Sequence, residues 1–376
     1  MKSLREPYRG CQVADLDTPS LLVDLNVMER NIRWMQEKAN ISGVKFRPHV
    51  KTHRTPDLAK KQVMAGAQGI TVAKLGEAEV MASAGINDIF VANEIVGDIK
   101  MERLLALSRR VRIAVGVDSA EHIKMLAEAF DGEARPLDVM IDIDTGDHRT
   151  GVAPGEEVLE LARLILYRDS VRLRGLFTHD GHSYEANDLA EIRAISLKSQ
   201  QDVIETATLL RREGIAVEEL SVGSTPSLLV SDIVPGVTEI RPGTYIFMDG
   251  DQAQVIGSYQ HCALSVLATV ISCPSPDRVV LDSGTKALTY FVQRHGITRS
   301  KGFGVLKERL SVYLYSLSDE HGLFAPPQDM SFHIGDKVEI IPNHACPTCN
   351  LYSVMYGVRN GEVQEEFKIL ARGMSR

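Results

Sequence analysis

Phe46-Arg47-Pro48-His49-Val50-Lys51-Thr52-His53 reads as a short strand that ends at a lysine, followed by a polar turn and a helix from Pro56. A lysine at the C-terminal tip of a strand, in a repeating strand–helix chain, occupies the face where α/β barrels keep their chemistry. Lysine is also the side chain that condenses with aldehydes when its surroundings lower its pKa. A solvated surface lysine fits the same eight residues, so the decision rests on the rest of the chain.

Outward from this stretch the alternation is regular. Strands are expected at 46–51, 69–74, 88–93, 111–117, 137–144, 174–179, 219–223 and 238–242. Most are Val-, Ile- and Phe-rich runs without polar alternation, as in a parallel sheet buried on both faces. Helical patterns fall near 55–66, 76–84, 97–109, 119–130, 155–168 and 186–213. Eight strands over about 200 residues is the count of a closed (β/α)8 barrel. An open doubly wound sheet is the alternative, and no GxGxxG follows the first strand to support its dinucleotide-binding form. A further strand at 20–25 precedes a helix that Asn26 is placed to cap. From about 255 helical periodicity fades. Strands at 263–272, 278–282, 311–317, 337–342 and 351–359, with Asn360-Gly361 as a hairpin turn, predict a mainly antiparallel β domain. The expected division is a barrel at 26–250 and a β domain from 1–25 plus 251–376.

The 376 residues are 44% apolar and 24% charged, with net charge −8 and pI near 5.8. That balance argues against a nucleic-acid or membrane-surface footprint. No apolar run is long enough for a membrane span. The first residues lack the apolar core of an export signal, and five cysteines are sparse, so a reduced cytoplasmic setting is expected.

Polar residues gather where the strands end: Lys51 with His53, Lys74, Asn93 with Glu94, Asp118, Asp144 with Arg149, and His179 with Asp180 and His182. Gly223-Ser224-Thr225 and Gly243-Thr244-Tyr245 complete the ring. Paired turns after the last two strands form the usual phosphate cradle of such barrels. A phosphate cradle together with a strand-end lysine points to pyridoxal phosphate. A second cluster lies in Pro342-Asn343-His344-Ala345-Cys346-Pro347-Thr348-Cys349-Asn350. If this run is extended, His344 and Cys346 share a face and offer imidazole and thiolate to zinc or a similar divalent ion. Cys346-x-x-Cys349 as a redox or half zinc-ribbon motif, and plain buried cysteine, are the competing readings.

These motifs, with Asp319-Glu320-His321-Gly322, occur in the same order in the D-threonine aldolase/D-serine dehydratase family, which the chain resembles from about residue 16 onward. The resemblance implies an alanine-racemase-like fold with the strand at 20–25 in the β domain, and Lys51 as the lysine bonded to pyridoxal phosphate. It implies Arg149 facing the cofactor's phenolic oxygen, His179 stacking on its ring, and phosphate on Gly223, Ser224, Thr225, Gly243 and Tyr245. His344 and Cys346 match the metal ligands, the metal being zinc, manganese or cobalt. Members are commonly head-to-tail homodimers with sites near the domain and subunit boundary. Aldolases of the family typically carry aspartate where Cys346 stands, and dehydratases carry cysteine. Dehydration of D-serine or D-3-hydroxyaspartate to a 2-oxo acid and ammonia is therefore expected, with Lys51 as the base and His179, His182 and Tyr184 as further catalytic or orienting groups. Retro-aldol cleavage, racemisation and a non-catalytic cofactor carrier are the rival readings. Gln252, Arg294 and His321 are candidate pocket residues.

Overall fold

The computed structural model describes residues 8–376; the export-signal reading of residues 1–7 lies outside them. In chain order the elements begin β1 (Ser20–Asp24), α1 (Leu25–Ile41), β2 (Lys45–Phe46), α2 (Pro56–Met64), β3 (Ile70–Val72), α3 (Leu75–Ser83), β4 (Asp88–Glu94) and α4 (Asp98–Ser108). There follow β5 (Arg112–Val117), α5 (Ala120–Ala129), β6 (Leu137–Ile143), α6 (Glu156–Leu166), β7 (Val171–Thr178), α7 (Leu189–Arg212), β8 (Glu219–Val222), α8 (Thr225–Val230), β9 (Glu239–Ile240) and α9 (Gly250–Ile256). The last are β10 (Leu264–Ser275), β11 (Arg278–Leu281), β12 (Val305–Leu306), β13 (Ser316–Leu317), β14 (Gly322–Phe324), β15 (Lys337–Ile341), α10 (Ala345–Cys349), β16 (Val354–Arg359) and β17 (Glu362–Lys368). They fold into two compact units.

One unit, Met35–Lys51, Ala59–Gly243 and Gly373–Arg376, holds a parallel sheet in the order β2-β9-β8-β7-β6-β5-β4-β3. That order is the chain order run around a circle. The circle closes just past β2, where Thr71 N donates to Pro48 O at 2.9 Å and His49 pairs with Thr71. The doubly wound alternative is thereby set aside. Of the strand expected at 46–51 only Lys45–Phe46 is regular, though pairing runs on to His49, whose N–H donates to Pro242 O at 3.0 Å. Val50–Thr52 then curls into a 3-10 turn, so Lys51 is carried by a turn beyond the strand and not by its tip.

Phe90, Ala114, Met140 and Phe177, from β4 to β7, pack together inside the barrel, with the two phenyl rings edge to face at 5.0 Å. Nearer the N-terminal ends of the strands lie buried ion pairs: Arg47 to Glu239 at 2.7 Å and Arg174 to Glu219 at 2.7 Å. Such pairs add little net stability, but removing one partner strands a buried charge and costs about 3–5 kcal/mol. They act as a polar floor that fixes how the strands sit.

The other unit takes in the chain up to Trp34, Thr52–Leu58 and Thr244–Arg372. Its sheet runs β13-β14-β11-β10-β1-β16-β17, with β15 on β10 and β12 on β15. β1 is antiparallel to β10 and parallel to β16, the placement that the resemblance implied. Leu16, Leu22, Leu267 and Val363 form a core cluster here. The β16–β17 hairpin turns at Asn360 and Gly361, both with positive φ (51° and 79°), as a type I′ turn demands. The strand expected at 311–317 shrinks to Ser316–Leu317, and the short β12 and β14 were not foreseen. Asp24, not Asn26, caps α1: its Oδ1 accepts from Val27 N at 3.0 Å. No helix among the described residues is long and apolar enough to cross a membrane.

Candidate active site

The expected residues fall into two clusters, one in each unit. In the barrel unit, the Lys51 backbone N–H donates to His49 Nδ1 at 3.4 Å, so that nitrogen carries no proton. Burial, reinforced by Lys51 and Arg241, holds the His49 pKa well below its ordinary value. His179, just past β7, is held low in the same way by burial, Lys51 and Arg149. Both imidazoles are therefore neutral and surrounded by cations.

Arg149 is more than half exposed, with Nε 3.6 Å from Asp147. Its loop is pinned at both ends: Asp144 Oδ1 accepts from Gly146 and His148 N–H (2.9 and 3.0 Å), and Asp118 accepts from Gly151 N–H (3.1 Å). Asp142 accepts from the Thr150 hydroxyl at 2.8 Å, yet burial pushes its pKa up to about 7. Arg241 donates to Ser221 Oγ and Thr178 O (2.7 and 2.6 Å) and lies over the Phe90 and Phe177 rings. Tyr184 is half-buried in the 3-10 turn Gly181–Glu185, and on the same turn His182 Nδ1 is buried with no hydrogen-bond partner among the described residues.

The turn after β8 has the shape of an anion cradle. Gly223 holds φ +101°, and a Cβ there would stand 2.8 Å from Leu228. Ser224 Oγ lies 3.1 Å from Ser183 Oγ and 3.2 Å from Ser227 Oγ. Thr225 Oγ1 is buried with no partner among the described residues. An unsatisfied buried hydroxyl costs about 1–3 kcal/mol, and a phosphate oxygen would relieve it. The turn thus fits the phosphate of the expected cofactor. Gly243 belongs to the same unit; Tyr245, fully buried, belongs to the other, on the 3-10 turn Thr244–Ile246.

In the β unit the cluster is built on one carboxylate. Asp249 is buried and caps α9 by accepting from Gln252 N through Oδ1 at 3.0 Å. Its Oδ2 faces His344 Nδ1 at 3.2 Å and accepts from Ala345 N at 2.8 Å. Gly250 N and Asp251 N bond to Pro342 O and Asn343 O. Cys346 Sγ donates to Thr52 Oγ1 at 3.3 Å and lies 3.8 Å from Thr244 Oγ1. Burial alone would lower the His344 pKa, but Cys346 and Asp249 reverse this and hold it well above its usual value. Burial beside Asp249 pushes Asp251 up to about 8.

His344 and Cys346 do come together, but not on a strand. His344 is extended (φ −133°, ψ 117°) and precedes α10, whose first turn carries Cys346. Pro347 sits in that first turn, where its missing N–H costs nothing. An imidazole and a thiol suit a borderline-soft divalent metal. Asp249 stands where a ligating histidine's other nitrogen is tied down. Among the described residues no three His, Cys, Asp or Glu side chains form a cage, so the pair would leave open positions. Burial and Cys346 raise the Cys349 thiol well above its usual pKa, which disfavours a reactive dithiol.

Sequence reasoning missed Asp249, Arg241 and Asp142 as site residues. Asp249-Gly250-Asp251-Gln252 has the spacing of a helix-capping box and would have flagged the first. Gln252 is buried with both amide atoms unpartnered among the described residues, while Arg294 and His321 are exposed.

Two family models match the chain: the alanine racemase N-terminal domain at residues 23–251 and a serine dehydratase domain at 263–358. A D-threonine aldolase from Arthrobacter sp. is 35% identical, over 98% of this chain and 96% of its own. D-threo-3-hydroxyaspartate dehydratase from Delftia sp. is also 35% identical, over 89% and 92%. Its solved structure aligns with TM-score 0.89, covering 95% of this chain and 98% of that one at 32% identity. Solved variants of D-threo-3-hydroxyaspartate dehydratase replace a histidine, and a cysteine two positions further on, with alanine; the cysteine variant is described as metal-free. The D-threonine aldolase structure from Filomicrobium marinum gives TM-score 0.89 over 98% of both chains at 33% identity.

Proposed function

The chain belongs to the alanine-racemase-fold family that includes D-threonine aldolases and D-3-hydroxyaspartate and D-serine dehydratases, and from that membership we propose that it is a dehydratase of β-hydroxy-D-amino acids. D-Serine or D-3-hydroxyaspartate would give a 2-oxo acid and ammonia. The observation that carries this reading is the sulfur of Cys346, two positions after His344 and tied through it to Asp249. The D-threo-3-hydroxyaspartate dehydratase variants replace the same two residue types at the same spacing.

Pyridoxal phosphate, when bound, supplies an aldehyde for the substrate amine and a ring that spreads negative charge, and a divalent metal supplies a Lewis acid for the β-hydroxyl. Gly223, Ser224 and Thr225 would hold the phosphate, with Gly243 and Tyr245 as further partners. Lys51 would bond the aldehyde and its Nζ would take the α-proton. His179, kept neutral, would lie on the ring without adding a positive charge to it, and Arg149 would meet the phenolic oxygen. His344 and Cys346 would hold the metal, zinc or else manganese or cobalt, with the imidazole's Nδ1 fixed by Asp249. Tyr184 and His182 would orient substrate. The barrel at 26–250 would carry the cofactor and the remaining β domain the metal.

A second reading is retro-aldol cleavage, favoured by the equal likeness to the D-threonine aldolase. The test is a panel of D-serine, D-3-hydroxyaspartate and D-threonine read together for ammonia and aldehyde, with and without chelator. Ammonia from the first two, lost on chelation, is expected. Acetaldehyde from D-threonine with no ammonia from any substrate sinks the elimination reading.

A further inference from the structure

The N-terminal end of the barrel, remote along the strands from the Lys51 end, carries a cleft of about 420 Å³ beside β5, β6 and β7. Its volume is that of a small-molecule site. Phe130, Ile113 and Leu137 give it an apolar floor, and Arg109, Arg112, Arg135 and Arg172 stand around it. In a chain of net charge −8, four guanidinium groups around one cleft is a local reversal of sign.

Two of the four are committed. Arg109 is clamped on Glu133 by bonds of 3.1 and 2.5 Å, and Arg172 on Asp138 by contacts of 2.8 and 2.6 Å. The other two are not. The Arg112 guanidinium makes no hydrogen bond among the described residues and is only loosely ion-paired, 3.7 Å from Asp88 and 3.9 Å from Asp138. Arg135 gives one bond, to Ser108 O at 3.2 Å. Asp88 shares Arg47 with Glu239, at 2.5 and 2.7 Å. The lining itself sets four arginines against two acids, Glu133 and Asp138, and most of the planar N–H forks of Arg112 and Arg135 are unfilled. Ion pairing that serves stability alone does not require the surplus pair. Such forks match carboxylate and phosphate oxygens two at a time.

We propose that this cleft binds a small dianion, a dicarboxylate or a phosphate monoester, with Arg112 and Arg135 as its charge partners and the apolar floor beneath its body. It is a site distinct from the Lys51 end and does not depend on which reaction runs there. The experiment is titration calorimetry on the cofactor-loaded enzyme at low ionic strength with succinate, inorganic phosphate and phenyl phosphate. Binding of at least one probe is expected, at one site per chain. An Arg112→Gln/Arg135→Gln double variant should weaken it about tenfold or more, with melting temperature and lyase rate unchanged. A response to succinate alone assigns dicarboxylates, and one to the phosphates alone assigns phosphate esters. Phenyl phosphate binding no tighter than inorganic phosphate overturns the role of the floor. No binding by any probe below about 10 mM, or equal affinity in the double variant, overturns the site.

Discussion

Lys51, His179 and Ser224 follow three different barrel strands, each hydrogen-bonded to its neighbours in the sheet. His344 and Cys346 stand on either side of one short helix start; backbone bonds from Gly250 and Asp251 tie their segment to α9, and Asp249 is the side chain there that reaches His344 and Ala345. The barrel cluster therefore rests on several strands, whereas the His344 ring is oriented by one carboxylate. A single substitution in the barrel should remove one function and leave its neighbours standing. One substitution at Asp249 should disturb everything attached to it.

The largest expected effect is at Lys51. Lys51→Ala should lower turnover by about a thousandfold or more, the range for loss of a positioned base and nucleophile. The melting temperature should barely move, since the ladders around it are intact. Turnover within tenfold of wild type would break the assignment of the barrel cluster. Next is Asp249→Asn, which keeps a helix cap but removes the charge facing His344. Metal affinity measured by competition with a chelator should fall about 10–100-fold. Asp249→Ala should add a stability loss of about 1 kcal/mol from the lost cap. Unchanged metal affinity in both variants would mean that Asp249 is not what sets the pair. Thr225→Val should raise the pyridoxal phosphate Kd about tenfold, as one hydrogen bond to a charged group is worth about 1.5–3 kcal/mol. The cofactor-free protein should melt no lower, because the substitution deletes an unsatisfied buried hydroxyl.

The smallest effect concerns Asp142, whose folded-state pKa is raised to about 7 by burial. Between pH 4 and 7 the folded chain keeps a proton that the unfolded chain releases, so its contribution to stability is present at low pH and lost as pH rises through about 7. In the cofactor-free protein, Asp142→Asn should gain melting temperature relative to wild type across that window and run parallel above it. Parallel curves throughout would show that the carboxyl is ionised in the folded state.

The barrel was legible because its signal repeats: eight apolar runs, each followed by a helical pattern, average out local errors. Strand ends were less so. The first strand gives way after His49 to a 3-10 turn that its apolar residues did not signal. The β unit was read mainly from turn residues, and Asn360-Gly361 was informative because only a type I′ turn asks for two positive φ values. β12 and β14 are too short to show a period of two and exist only because β15 and β11 pair with them. Lys51, His344 and Cys346 were legible from residue type. Arg241 and Asp142 were not, since a buried charge looks like any surface charge until the residues packed over it are known.

Asp249 also has an evolutionary side. Because it bonds to Gln252, His344 and Ala345, the two segments form one heritable unit, and a change tolerated in either must suit the other. Position 346 touches that unit without holding it together. A change of side chain there can therefore leave the carboxylate, the histidine and the whole barrel in place.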